Sequence, residues 1–367
     1  MGRSPLEESG LPLFFRVANA EELAFAPAPS TAIAIRTAAR SLSTMQKEAL
    51  VATGAGGPVW RLASDEGPYL LGDDVAPPPL AFVSVGLVTD FAEAIRRAAG
   101  APAAGVRLVQ DTRYTMKGST TQGTLRAGAL PVELRVDADL PGHLVQQAVR
   151  AAPSYGLVRP ALGSRFSLVH NGRSLPVERV LPADGPAPDD PRELFPHTRP
   201  ARDPRVIQRD GQTPKTEEDT RYEGSSLAET QDRTLHLQTL CAGDANGLWR
   251  VEHRMYNPRG TIFHFVCDPT GERAPAPLAY LSAGIAFCVM TQLARYARIL
   301  RKRLLDFAVV QDTAFCAGDH AVPVVTHVYL DTEEDDAFAQ KLVAAGERTC
   351  FVHALCRTEL DVRFLSS

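Results

Sequence analysis

Six cysteines, Cys241, Cys267, Cys288, Cys316, Cys350 and Cys356, all fall in the second half of this 367-residue chain. Their spacing suggests no disulfide framework, so they read as core residues or reactive thiols. Cys288 stands out by its surroundings. Residues 275–303 predict a single buried helix: Pro277 suits a first helical position, and Leu278, Leu281, Ile285, Cys288, Val289 and Leu293 recur at helical spacing. A cysteine so placed is either a small core hydrophobe or a nucleophile, and the nucleophile is the thiolate. A free thiol, with a pKa of about 8.5, is mostly protonated at neutral pH, so chemistry here requires an activating neighbour. The helix gives little help, since Cys288 lies roughly 16 Å from the start of the helix and the dipole acts within the first turn. His353 follows Cys350 by three positions and would stand beside it on a helix as an acid or base.

Other chemistries find less support. The tetrapeptide CAGD occurs at Cys241 and again at Cys316, there followed by His320, and a zinc site could gather Cys241, Cys316 and His320. Zinc sites are usually announced by CxxC or HxxxH pairs, which are absent, and turn chemistry accounts for Ala-Gly-Asp. His264 and Cys267 alternate along a strand and point to opposite faces. The TGAGGP stretch precedes a strand rather than a helix and is no nucleotide loop. No metal or cofactor is expected.

The helix around Cys288 is apolar on nearly every face, then ends in Arg295, Arg298, Arg301, Lys302 and Arg303. Ser282, Thr291 and Gln292 interrupt the apolar run, which favours a core helix over a membrane span. Composition is that of a globular protein, 44% hydrophobic and 22% charged, and a net charge of -4 argues against a nucleic-acid partner. The first residues carry acid early and lack a secretory signal, so a cytoplasmic location is expected.

In chain order, residues 1–44 read as an extension with a short helix near 31–41. Strands follow at 49–53 and 59–62, then a proline-opened helix from Val75, strands at 106–116 and 130–137, a helix at 144–152 and a strand at 165–169. The second half repeats this order. Trp60-Arg61-Leu62 answers to Trp249-Arg250-Val251, Pro79-Leu80-Ala81-Phe82 to Pro277-Leu278-Ala279-Tyr280, Val109-Gln110-Asp111-Thr112 to Val310-Gln311-Asp312-Thr313, and Pro131-Val132 to Pro323-Val324. A duplication is expected, with repeats at 45–170 and 233–367. Between them, 171–232 is rich in Pro and charge and reads as a linker wrapping the copies.

The helix pattern PxPLxxLSAGxxxC, the order of elements and the closing GERTCFVHALCRTELDVRF resemble the OsmC/Ohr superfamily of osmotically inducible and organic hydroperoxide resistance proteins. The spacing of Cys288 and Cys350 is similar to that of the family's two redox cysteines. The resemblance implies an α+β fold in which two repeats form a pseudo-dimer within one chain, central helices packed between antiparallel sheets, with a further homodimer as one option. It implies a thiol peroxidase in which Cys288 attacks a hydroperoxide, Cys350 resolves the sulfenic acid and a thiol reductant regenerates both. The family uses an arginine to activate the first cysteine, and Arg61, Arg254 and Arg259 are the candidates here. Leu278 stands where the hydroperoxide-resistance branch carries a glutamate. Alternatives are a desulfurase or sulfur-transfer enzyme acting on a small sulfur compound, and a binding protein without turnover. The first copy has Asp90 and Gly156 at the positions aligned with the two cysteines, so it would lack the thiols.

Overall fold

The computed structural model describes residues 4–27, 32–43, 45–119, 122–159, 163–201, 205–215, 233–316 and 322–366. The first half runs α1 (Pro5–Glu8), β1 (Phe15–Arg16), β2 (Ile33–Ser41), β3 (Lys47–Thr53), β4 (Val59–Ser64), α2 (Pro79–Ala99), β5 (Arg107–Lys117), β6 (Arg126–Ala129), β7 (Val132–Asp137), α3 (Gly142–Ala151) and β8 (Arg165–His170). Next come β9 (Arg173–Leu175), β10 (Leu181–Pro182) and β11 (Ile207–Gln212). The second half runs β12 (Arg233–Gly243), β13 (Trp249–Asn257), β14 (Thr261–Cys267), α4 (Pro277–Ile299), β15 (Leu304–Phe315), β16 (Val325–Thr332), α5 (Asp336–Thr349), α6 (Phe351–Arg357) and β17 (Val362–Phe364).

Two sheets enclose α2 and α4, and each sheet draws strands from both halves. One has the order β1-β4-β3-β2-β15-β16-β8-β10 with β9 on β8; the other is β11-β14-β13-β12-β5-β7-β17 with β6 on β5. The joins are long antiparallel ladders, β2 with β15 and β12 with β5. The sheets are mixed rather than antiparallel throughout, because β8 pairs parallel to β16 and β10, and β17 parallel to β7. In the β8–β16 and β17–β7 pairs the two strands belong to different halves, so no hairpin fixes their direction.

Of the stretch expected as a helix near 31–41, Ile33–Ser41 form a strand, and Thr31 lies outside the described residues. The alternating burial of Ile35, Thr37 and Ala39 against α4 and their ladder to β15 outweigh the helix propensity of so many alanines. The expected extension thus supplies a central strand, and Phe15, Val17, Leu23 and Phe25 lie over that sheet's outer face, where they pack with Leu50 and Ala52. The expected linker adds β9, β10 and β11, and Arg192 ties it down through Asp190, Asp306 and Asp331. The TEEDTRYE block within it lies outside the described residues.

Every residue of α4 from Pro277 to Ala294 is buried, so this helix, long and apolar enough to cross a membrane, is covered by the protein's own sheets and helices. Its Ser282 is tolerated because Thr37 and Thr313 reach it at 2.8 and 3.0 Å. The two central helices touch through glycines. A Cβ on Gly86 would lie 2.7 Å from both the Leu281 Cβ and the Pro277 carbonyl oxygen, and one on Gly284 would lie 2.8 Å from the Val83 nitrogen. Gly86→Ala gains about 1 kcal/mol of helix propensity, yet overpacking costs about 1–3 kcal/mol where the obstacle is backbone. A lower urea midpoint is therefore expected, and an unchanged or higher one would show that the helices separate freely.

Candidate active site

Cys288 sits midway along α4, 2% exposed, and its sulfur interacts directly with that of Cys350, which is fully buried. The backbone brings them together because α5 ends at Thr349 and α6 begins at Phe351, leaving Cys350 extended at the break between two helices packed on α4. Burial, and then the neighbouring Cys288 sulfur, hold the Cys350 thiol well above its ordinary range. The segment after Cys350 is helical, and His353 Nδ1 lies 3.1 Å from the Cys350 sulfur, with its ring 5.4 Å from Phe166. Burial pushes the His353 pKa down to about 3. The imidazole is therefore neutral at physiological pH, and it can accept a hydrogen bond from the thiol but stores no proton there. Cys356, also buried, lies in the same neighbourhood with its thiol pushed up to about 12 by burial.

The three arginines considered for activating Cys288 are placed elsewhere. Arg61 is buried, but on the outer face of its sheet, where Glu48 pairs with it, the Pro12 carbonyl accepts at 2.7 Å, and the guanidinium lies 5.6 Å from the Phe15 ring centre. Arg254 alternates with the inward Val251, His253 and Met255, so it faces outward to Glu252 and Tyr256. Arg259 is exposed and donates to the Thr213 carbonyl at 2.5 Å.

The cation near Cys288 is Lys47, fully buried at the start of β3. It shares the inward side with Ala49 and Val51, which belong to the central core, while Leu50 and Ala52 face the N-terminal cover. Its ammonium donates to the Met45 carbonyl at 2.6 Å and lies within the electrostatic reach of Glu66, Asp65 and Cys288. Burial lowers the Lys47 pKa and raises those of Glu66 and Asp65, and each sign of charge opposes the shift of the other. Thr291, one turn beyond Cys288 on α4, donates to Glu66 at 2.9 Å, and the half-buried Tyr69 donates to its other oxygen at 2.8 Å. A carboxylate thus reaches the site from the loop after β4, although Leu278 leaves none at the helix start.

Neither Lys47 nor Glu66 was singled out from the sequence. The signal was a charge at an inward position of a strand, and beginning the strand at Ala49 hides it. Among the described residues there is no group of three or more metal-ligating side chains, and His320 of the weighed zinc set lies outside them.

Residues 269–364 match the family model described as OsmC-like protein. That part of the chain is OsmC-like. A solved structure, an OsmC-like hydroperoxide resistance protein from Jannaschia sp. CCS1, is 24% identical over 32% of this chain and 83% of its own, with a TM-score of 0.19. No curated protein matches. The OsmC-like segment holds Cys288, Thr291, Cys350, His353 and Cys356, whereas Lys47, Asp65 and Glu66 come from outside it.

Proposed function

We propose that this chain is a thiol-dependent peroxidase for organic hydroperoxides with its reactive centre at Cys288. The observation that carries the reading is the direct interaction of the Cys288 and Cys350 side chains, with a buried ammonium within electrostatic reach of Cys288. The Cys288 thiolate attacks the terminal peroxide oxygen; an S–O bond forms, the O–O bond breaks, and the departing alkoxide takes a proton to become an alcohol. The Cys350 thiol then attacks the sulfenic acid, its proton leaves with the hydroxyl as water, and a disulfide remains. A dithiol reductant restores both thiols and is itself oxidised to a disulfide. Lys47 takes the part for which an arginine was expected, bringing a positive charge within reach of the attacking sulfur, and Glu66 holds that charge in place. His353 orients the Cys350 thiol.

We also read the two halves as copies that form a pseudo-dimer. Paired contacts support this. Gln110 donates to the Ser84 carbonyl at 3.2 Å and Gln311 to the Ser282 carbonyl at 3.0 Å. Gln110 faces Thr239 across one ladder and Gln311 faces Thr37 across the other. On this reading the Trp-Arg match is coincidental, since Trp60 lies on β4 and Trp249 on β13, which would answer to β3. Asp90 answers to Cys288, and it accepts the Ser154 N–H at 2.8 Å. One site per chain follows, with the first copy supplying its cation.

The decisive measurement is consumption of cumene hydroperoxide with dihydrolipoamide as reductant. Turnover by the wild type is expected, and its absence abandons the proposal. Sulfide release, or a persulfide on Cys288, would favour sulfur transfer instead.

Asp90 gives a separate pH test. Burial raises its pKa to about 6, against the Ser154 hydrogen bonds and the Arg97 charge. A carboxyl raised in the folded state imposes no penalty below the unfolded value of 3.8, and the full one above about 6, here about 3 kcal/mol. Asp90→Asn is expected to raise the melting temperature at pH 7.5 and to change it little near pH 4. An equal change at both pH values refutes this.

A further inference from the structure

Tyr114 is a fully buried residue of β5, contributed by the first half, and its hydroxyl has no hydrogen-bond partner among the described residues. Its ring packs 5.6 Å from that of Phe351 at the start of α6, and its hydroxyl lies within electrostatic reach of the Cys288, Cys356 and Cys350 sulfurs. A buried hydroxyl left unpaired costs about 1–3 kcal/mol. That cost is recovered when something bound among these sulfurs offers an acceptor.

We infer that Tyr114 is a catalytic hydrogen-bond donor to the oxygen that departs when Cys288 attacks a hydroperoxide. The inference rests on the peroxidase reading. As the S–O bond forms and the O–O bond breaks, the electron pair moves to the alkoxy oxygen, the point of greatest developing charge. A phenolic O–H fixed there lowers the barrier without reorganising. The proton that finally neutralises the alkoxide comes from solvent, so the tyrosine begins and ends the cycle protonated. Burial holds its pKa well above the ordinary value of 10, which keeps the hydrogen in place throughout the working range. The OsmC-like segment lacks this residue, so Tyr114 joins Lys47 as a contribution from outside it.

The test is Tyr114→Phe in the full chain, with tert-butyl hydroperoxide and peracetic acid as oxidants. Tert-butoxide is a poor leaving group that depends on the donor, whereas acetate is a good one that does not. The expected result is a fall in kcat/KM of about 100-fold for tert-butyl hydroperoxide and of less than about tenfold for peracetic acid. Alkylation of Cys288 by iodoacetamide, which expels iodide and needs no donor, is expected to be unchanged. Because the hydroxyl has no partner to lose, the melting temperature should hold or rise. Equal losses with both oxidants, no loss with either, or slowed alkylation overturns the role of Tyr114 and leaves the peroxidase reading standing. A wild type that consumes neither oxidant overturns both.

Discussion

Cys288→Ser is expected to abolish hydroperoxide consumption, by at least about 1,000-fold, because a serine oxygen is a hard, protonated nucleophile that does not displace at a peroxide oxygen and has no sulfenic-acid state. The Cys350→Ser chain should behave differently. It retains the attacking sulfur, so one equivalent of peroxide is consumed per chain and turnover then stops with one oxygen added to Cys288, detectable by intact mass and by a sulfenic-acid probe. Full turnover by Cys350→Ser would show that another thiol resolves the intermediate, and Cys356, in reach of Cys288, would be the first to test. Comparable losses in both variants with no trapped sulfenic acid would place the chemistry elsewhere.

Lys47→Met is expected to affect both stability and reactivity. The side chains are of similar length, so the change removes charge more than volume. Glu66 and Asp65 would then be buried without their cation, at a cost of about 3–5 kcal/mol. Burial already raises both carboxyl pKa values, so they are penalised while ionised and relieved when protonated. The loss should therefore be largest above neutral pH and shrink as pH falls into the range where they take up protons, which urea titrations at pH 8 and pH 5 would measure. Reactivity should fall with it. Without the ammonium the attacking sulfur loses a neighbouring positive charge that stabilises its anionic attack, and alkylation of Cys288 by iodoacetamide at pH 7 should slow about tenfold or more. Lys47→Arg keeps the charge but adds bulk at a fully buried position, so it should retain more of the alkylation rate than Met while losing about 1–3 kcal/mol. Equal alkylation rates in wild type and Lys47→Met would remove Lys47 from the mechanism.

The sequence was most legible where period and chemistry agreed. Residues 275–303 predicted a buried helix, and α4 is one; the strands and helices from Ala49 to Val169 fall close to their expected positions. His353 was placed one helical turn from Cys350, and α6 puts them in contact. The segment before Met45 was misread because an alanine-rich strand buried on a central sheet has no period of its own to distinguish it from a helix. The arginines were misassigned for a related reason. Neighbouring strands β3 and β4, each buried on both faces, carry Lys47 and Arg61 with nearly equal burial, and only the register of the two strands decides which side chain faces the sulfurs.

By itself the sequence determined that a buried helix carries Cys288, that His353 would stand beside Cys350 if that segment were helical, and that similar motifs recur in the same order. The tertiary structure decided what surrounds them. Lys47, Glu66 and Tyr114 reach the site from roughly 170 to 240 residues away, because each sheet is built from strands of both halves and closes over the helices of both. Such juxtapositions depend on ladder register and on the side of the sheet a residue faces, and long-range pairing across two halves leaves neither written in any local stretch of the chain.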